Sequence, residues 1–386
     1  MEAADDADWI RLTDPDVGAA EMGAVLAALQ SPRLSAGPAV RAFEQRFAQY
    51  VGRAHAVAVA SGTAGLLVTL RALGIGPGDE VISSSYSWHQ IANAIALAGA
   101  TPRFVDIDYW SGTLAPGKIA SAISPRTRAI LAGNTNGHPA AWNALRELAN
   151  AHGLPLIEDS TEALGSVYQG RRVGSFGDCA IFDFSQPSPL VCGEGAMILT
   201  DDAALAAELR YLRSHSLEDR RSVSVGSRIP LQASMSDLAA ALGLAQLERI
   251  DEILERRRQV EAYYARHMLA FEGIKPPYRA PDVDDVHWFL YVVHLGTRFT
   301  RSGRNQIVED LATENVAAAP YCHPLHQQYY YGRYGYATGD LFVTEKIADR
   351  ALALPFHGRL DDGEVEFIVG TAKDASSNVG AGAAIY

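Results

Sequence analysis

Apolar residues along this chain fall into two alternating patterns. Short runs occur at AHAVAVA (54–60), EVISSS (80–85), PRFVDID (102–108), RAILAG (128–133), LPLIEDS (154–160), DCAIFDF (178–184) and AMILT (196–200). Their length suits strands, and their continuity suits strands buried on both faces. Between several of them lie stretches with helical spacing: SGTAGLLVTLRALG (61–74), residues 90–98 and residues 142–152. The alternation predicts a mainly parallel sheet covered by helices, an α/β architecture. Further on, ALGLAQLERIDEILERRR (241–258) has one apolar and one charged face, which predicts a helix leaving the large domain. HWFLYVVHL (287–295) and a helical stretch near 302–313 predict a small C-terminal α+β domain. The expected division is 1–250 for the large α/β domain with its N-terminal segment and 251–386 for the small one. The tail SSNVGAGAAIY (376–386) is expected to be loosely ordered.

Composition narrows the partners. With 386 residues, 48% hydrophobic and 20% charged, the chain has the make-up of a soluble globular protein with room for two cores. No apolar run reaches the roughly 20 residues needed to span a bilayer, and the acidic start MEAADDADW is unlike a cationic signal peptide. A cytoplasmic location is expected. A net charge of −12 without a basic cluster argues against nucleic acid and anionic membranes and for a small-molecule substrate. Cys179, Cys192 and Cys322 lack zinc-ligand spacing, so no metal is expected. Lysine is rare: the chain has only Lys118, Lys275, Lys346 and Lys373.

Ligands of α/β sheets sit outside the carboxyl ends of the strands, so chemistry is sought just after each run. Ser61, Gly62 and Thr63 open a helix, where free N–H groups and the helix dipole favour an anion, although such a serine or threonine often serves only as an N-cap. Trp88 could stack on a flat ring or simply pack in the core. Asp159, closing LPLIEDS, could hold a ring nitrogen or cap the next element. The fourth place is FDFSQPSPLVCGEGAM (182–197), a glycine-punctuated loop with no cation in it.

Together these places resemble the DegT/StrS family of sugar aminotransferases, pyridoxal-phosphate enzymes of the aspartate-aminotransferase fold (fold type I). The similarity runs through VASGTAGLLVTLRALGIGPGDEVI, LIEDSTEALGSVYQGRRVGSFGDCAIFDF, GEGAMILTDD, MSDLAAALGLAQLERIDEILERRR, PYCHPLHQQ and LALPFH. It implies that Gly62 and Thr63 sit at the cofactor phosphate, that Trp88 stacks on the pyridine ring, that Asp159 pairs with its nitrogen and that Glu162 lies near its hydroxyl. It also implies a homodimer with shared active sites.

The departures from that pattern bear on function. Five residues before Gly193, where the family has its imine-forming lysine, stands Ser188, and a hydroxyl forms no imine. Asp183 replaces a phosphate-binding hydroxyl. In LQASMSDL, Gln232 stands for the asparagine that reaches the partner's phosphate, and Ser234 stands for an arginine. Pro187 and Pro189 flank Ser188 and remove two N–H donors.

These changes lead to the expectation of a non-transaminating tailoring enzyme of secondary metabolism that works without pyridoxal or pyridoxamine phosphate. It would carry out a cyclisation, elimination or isomerisation on a polar, amine-bearing substrate by side-chain acid–base catalysis. Asp159, Glu162 and Asp183 are expected to converge on one cavity, with Asp183 or Asp159 as base and Ser188 as hydrogen-bond donor. His89 and His215 are candidate helpers, and Gln186, Gln232 and His323 join Ser61, Gly62, Thr63 and Trp88 in the pocket. Two alternatives stand beside this: a pyridoxamine-phosphate-dependent enzyme of the deoxysugar-dehydratase kind, and a non-catalytic partner of an active aminotransferase.

Overall fold

A computed structural model of the chain describes residues 9–214, 229–269 and 273–383, the last three by their backbone alone. Seven strands form the central sheet, in the order His55–Val59, Ala196–Thr200, Cys179–Asp183, Leu156–Asp159, Thr127–Gly133, Glu80–Ser84 and Thr101–Val105. Ala196–Thr200 runs antiparallel to both neighbours, and the other ladders are parallel. Six strands therefore point the same way and deliver their carboxyl ends to one edge. Each apolar run of the sequence is one of these strands. Their residues are buried from both sides, as in Glu80–Ser84, Cys179–Asp183 and Ala196–Thr200, where all five are covered.

Helices Gly62–Ala72, His89–Leu97 and Trp142–His152 form where the helical spacing predicts them. Gly65 lets the first approach the sheet, since a Cβ there would lie 2.5 Å from Ile181 Cδ1. Helix Pro38–Val51 is tied down across 200 residues of sequence. The buried Asp237 carboxylate accepts from Gly37 N (2.9 Å), Val40 N (3.1 Å) and Ala39 N (3.3 Å), three donors that a helix start leaves unpaired. Phe43 and Phe47 of this helix pack on Phe182 and Phe184, which lead into the 182–197 loop.

The stretch 241–258 expected as one helix is divided. Helices Asp237–Glu248 and Ile250–His267 meet at Arg249, whose guanidinium reaches Glu21 (2.6 Å) and Asp16 (3.3 Å). Beyond it, Ile274–Lys275, Tyr291–Leu295, Ala351–Leu354 and Ala319–Pro320 form an antiparallel sheet. The expected division after residue 250 lies just inside the second of these helices. One apolar core spans it, running from Ile82, Ile130 and Trp142 to Tyr264, Tyr291 and Leu354.

The tail is not loose through residue 383. Helix Asp362–Ala383 continues through it because its small residues allow close packing. Ala375 and Ser376 are buried, and a Cβ on Gly303 would come within 3.3 Å of Val379.

Candidate functional site

Strand register builds the site. Val59 and Asp183 are both partners of Ala196, so the chain leaving the first strand passes close to Asp183. Ser61 caps helix Gly62–Ala72 through Ala64 N (3.3 Å), and Gly62 N donates to Asp183 Oδ2 at 2.6 Å. Asp183 Oδ1 accepts from Ser185 N (2.8 Å) and Ser185 Oγ (2.5 Å). A carboxylate at a helix start is favoured by the dipole and the unpaired N–H groups, so the anion position there is taken by the chain's own side chain. Gly62 has to be glycine, because a Cβ would lie 2.5 Å from Asp183 Oδ2 and 3.0 Å from Gln90 Oε1.

Asp159 ends its strand and is buried. Its Oδ1 accepts from Thr161 N (3.0 Å) and its Oδ2 from Gln90 Nε2 (3.1 Å). Burial raises its pKa, hydrogen bonds from Thr161 and Gln90 oppose the rise, and the Asp183 charge adds to it. Gln90 Nε2 also reaches Thr161 Oγ1 (3.0 Å), which in turn accepts from Asp183 N (3.2 Å). One polar chain thus joins Asp159, Gln90, Thr161 and Asp183.

These residues border a cleft of about 440 Å³. Its walls include Ser61, Thr63, Trp88, His89, Gln90, Thr161, Asp183, Gln186 and Phe289. Trp88 meets Phe289 edge to face, with ring centroids 5.9 Å apart. Asp159 is not on the wall, because Gln90 and Thr161 lie over it. The neighbouring Glu158 is a structural group: its carboxylate accepts from Gly174 N, Phe176 N, Gly177 N, Asn134 Nδ2 and Ser160 Oγ.

Other candidates lie elsewhere. Glu162 is buried and does not line the cleft; its carboxylate takes the Tyr321 hydroxyl and Asn136 N, and both of these residues border another pocket. Burial pushes its pKa up to about 8, against those two hydrogen bonds. Ser188 lines a different cleft with Asp14, Asp16, Arg257 and His357, and its buried hydroxyl has no partner among the described residues. His323 is exposed in a third cleft, of about 740 Å³, with Arg301, His326, Gln328 and Tyr329. Gln232 is exposed, with φ +52 in the left-handed region, on the segment whose Ala233 O accepts from Ala60 N. His215 lies outside the described residues.

Gln90, Thr161, Ser185 and Phe289 were not read as site residues. Gln90 carried a signal, since it lies two residues past Trp88 in the first turn of a helix that follows a strand end. Phe289 carried none, because it comes from the small sheet.

The DegT/DnrJ/EryC1/StrS aminotransferase family model matches residues 15–373. The chain belongs to this family. It is 36% identical to the GDP-perosamine synthase of Caulobacter vibrioides, over 87% of this chain and 89% of that one. A structure described as a sugar aminotransferase of Streptococcus pneumoniae, in its PMP form, superimposes with a TM-score of 0.90 at 26% identity, covering 97% and 99% of the two chains. DesI, crystallised with its TDP-sugar product, gives a TM-score of 0.88 at 31% identity, covering 98% and 95%.

These relatives correct the functional expectation. The family is one of aminotransferases, and the Streptococcus structure carries the description of a sugar aminotransferase, which overturns a cyclase, lyase or isomerase that does no transamination. The PMP form overturns the expectation that no cofactor takes part. That expectation rested on Ser188, Asp183, Gln232 and Ser234 together, and the family pattern over residues 15–373 outweighs them.

The walls fit such a cofactor in part. Trp88 offers a stacking face, Ser61 and Thr63 offer hydroxyls, and Asp159 is a buried carboxylate suited to a ring nitrogen. No lysine lies among the described residues lining the cleft; Lys118 pairs with Asp106 and Lys373 bonds His267 O. A phosphate set about 4 Å from the Asp183 carboxylate would be repelled by roughly 4 kcal/mol at an effective dielectric of about 20. The site therefore fits a group held by non-covalent contacts that displace Gln90 and Asp183. It does not fit one bound through an imine.

Proposed function

We propose that this protein transfers an amine to a nucleotide-linked keto sugar, using pyridoxamine phosphate as an exchangeable amine carrier that is not covalently tethered. The observation that carries the reading is a cleft walled by Trp88, Ser61 and Thr63 at the strand ends, with no lysine on its described walls. When bound, pyridoxamine phosphate would supply the amine that the sugar ketone accepts.

The chain's own residues then have definite tasks. Trp88 and Phe289 hold flat and apolar faces and keep water from the reacting carbons. The Ser61 and Thr63 hydroxyls hold the anionic end, joined by Gly62 N once the Asp183 carboxylate gives it up. Asp159 orients a ring nitrogen once Gln90 yields. His89 is the imidazole on the described wall, and it moves the proton between the two carbons that a lysine would otherwise serve. Arg301, His323 and Tyr329 in the third cleft supply a cation, an imidazole and a ring for a nucleoside diphosphate. The reading includes a homodimer in which exposed Gln232 reaches the partner's cleft.

The test is binding. Equilibrium dialysis against pyridoxamine phosphate, read by absorbance, is expected to give saturable binding that His89→Ala leaves intact. The same variant is expected to abolish amine transfer. Full transfer by His89→Ala would remove the proton-carrying role, and absence of binding at any concentration would remove the carrier.

A further inference from the structure

The two polar anchor points that a pyridoxamine-type ligand would use are both taken by side chains of this chain. Gln90 Nε2 is on the Asp159 carboxylate (3.1 Å), and the Asp183 carboxylate is on Gly62 N (2.6 Å). The two occupants are linked through Thr161 Oγ1, which accepts from both Gln90 Nε2 and Asp183 N. They also crowd the same point, since the position of a Gly62 Cβ would lie 2.5 Å from one and 3.0 Å from the other. We infer that Gln90 and Asp183 are specificity-determining residues that compete with the ligand for its own anchors: Gln90 against the ring nitrogen and Asp183 against the phosphate. The inference rests on the function proposed above, and it is specific to these two side chains.

The two competitions differ in kind. Gln90 is neutral and flexible, and it loses only hydrogen bonds when a ring replaces it, so it weakens every ring that seeks Asp159. Asp183 is anionic when ionised, and its repulsion falls only on ligands that carry a negative group at that end. Removing the phosphate from the ligand therefore relieves one penalty and leaves the other. The native chain should show an unusually small preference for pyridoxamine phosphate over pyridoxamine. Removing Asp183 should restore that preference selectively, whereas removing Gln90 should tighten both ligands together.

The experiment compares dissociation constants of pyridoxamine phosphate and pyridoxamine for the native chain, Asp183→Ser, Asp183→Asn and Gln90→Ala, each checked by circular dichroism for a native fold. Thermal shift with inorganic phosphate is recorded in parallel. The expected result is at least a tenfold gain for the phosphate form alone in Asp183→Ser. Asp183→Asn keeps the shape without the charge and should show a gain of the same sign, so it carries the test if the serine variant fails to fold. Gln90→Ala should bind both ligands tighter by a similar factor. Inorganic phosphate should raise the melting temperature of the Asp183 variants and leave the native chain unmoved. A native chain that already prefers the phosphate form by more than tenfold, or that inorganic phosphate stabilises as much as the variants, would overturn the inference. If neither organic ligand binds any of the four proteins, the proposed function fails instead. The phosphate shift then still decides the role of Asp183.

Discussion

Gln90 Nε2 lies 3.1 Å from Asp159 Oδ2, and this pair closes the floor of the cleft. Asp159 is the buried carboxylate that we propose for a ring nitrogen, and Gln90 is its only side-chain amide donor among the described residues. Replacing the carboxylate while keeping its shape tests that assignment. Asp159→Asn is expected to weaken pyridoxamine phosphate about tenfold or more while keeping the native fold, because a neutral amide does not favour a protonated ring nitrogen. Unchanged affinity would show that the ring does not reach Asp159.

Glu162 predicts a pH dependence of stability. Its folded pKa, raised to about 8 by burial, lies above its unfolded value. Its contribution is fully present below the unfolded pKa of about 4.5 and is lost as pH rises through about 8. Urea unfolding between pH 4.5 and 8.5 should show the native chain losing on the order of a few kcal/mol relative to Glu162→Gln. Parallel curves would mean that Glu162 is ionised in the fold without cost.

Glu158 is expected to matter for folding rather than chemistry. Five donors converge on its carboxylate, three of them backbone N–H groups of residues 174–177. Glu158→Ala leaves these donors unpaired and should cost about 3–5 kcal/mol in denaturant unfolding. A loss below about 1 kcal/mol would show that water replaces the carboxylate.

Ser188 gives a prediction opposite to simple restoration of the motif. Ser188 lines the cleft of Asp14, Asp16, Arg257 and His357 and is not among the residues lining the cleft of Trp88, although Gln186 and Pro187 before it border both. Ser188→Lys alone is expected to form no borohydride-reducible link with pyridoxal phosphate, because the new amine meets Asp14 and Asp16. A link detected by mass spectrometry would mean that the side chain at position 188 reaches the cleft that Gln186 and Pro187 already border.

The fold was legible because burial on both faces leaves an unbroken signal, as in Cys179–Asp183, and helical spacing leaves another, as in Trp142–His152. The break at Arg249 was hidden, since its cause is the distant Glu21 and Asp16. The tail misled because small residues mark loose chain and close helix packing alike. At the site, Trp88, Asp159 and Asp183 stood out by their place after strand ends. That the carboxylates do not share one wall was not legible: Gln90 and Thr161 cover Asp159, while Tyr321 and Asn136 engage Glu162. The functional error came from weighing the departures at Ser188, Asp183, Gln232 and Ser234 above the family pattern in the rest of the chain.

The most direct test of the account is a single-turnover experiment. The purified protein is mixed with pyridoxamine phosphate and a nucleoside-diphosphate keto sugar, and aldehyde cofactor and amino sugar are quantified together. The account predicts one pyridoxal phosphate released for each amino sugar formed. Saturating binding of both ligands with no pyridoxal phosphate and no amino sugar would contradict it.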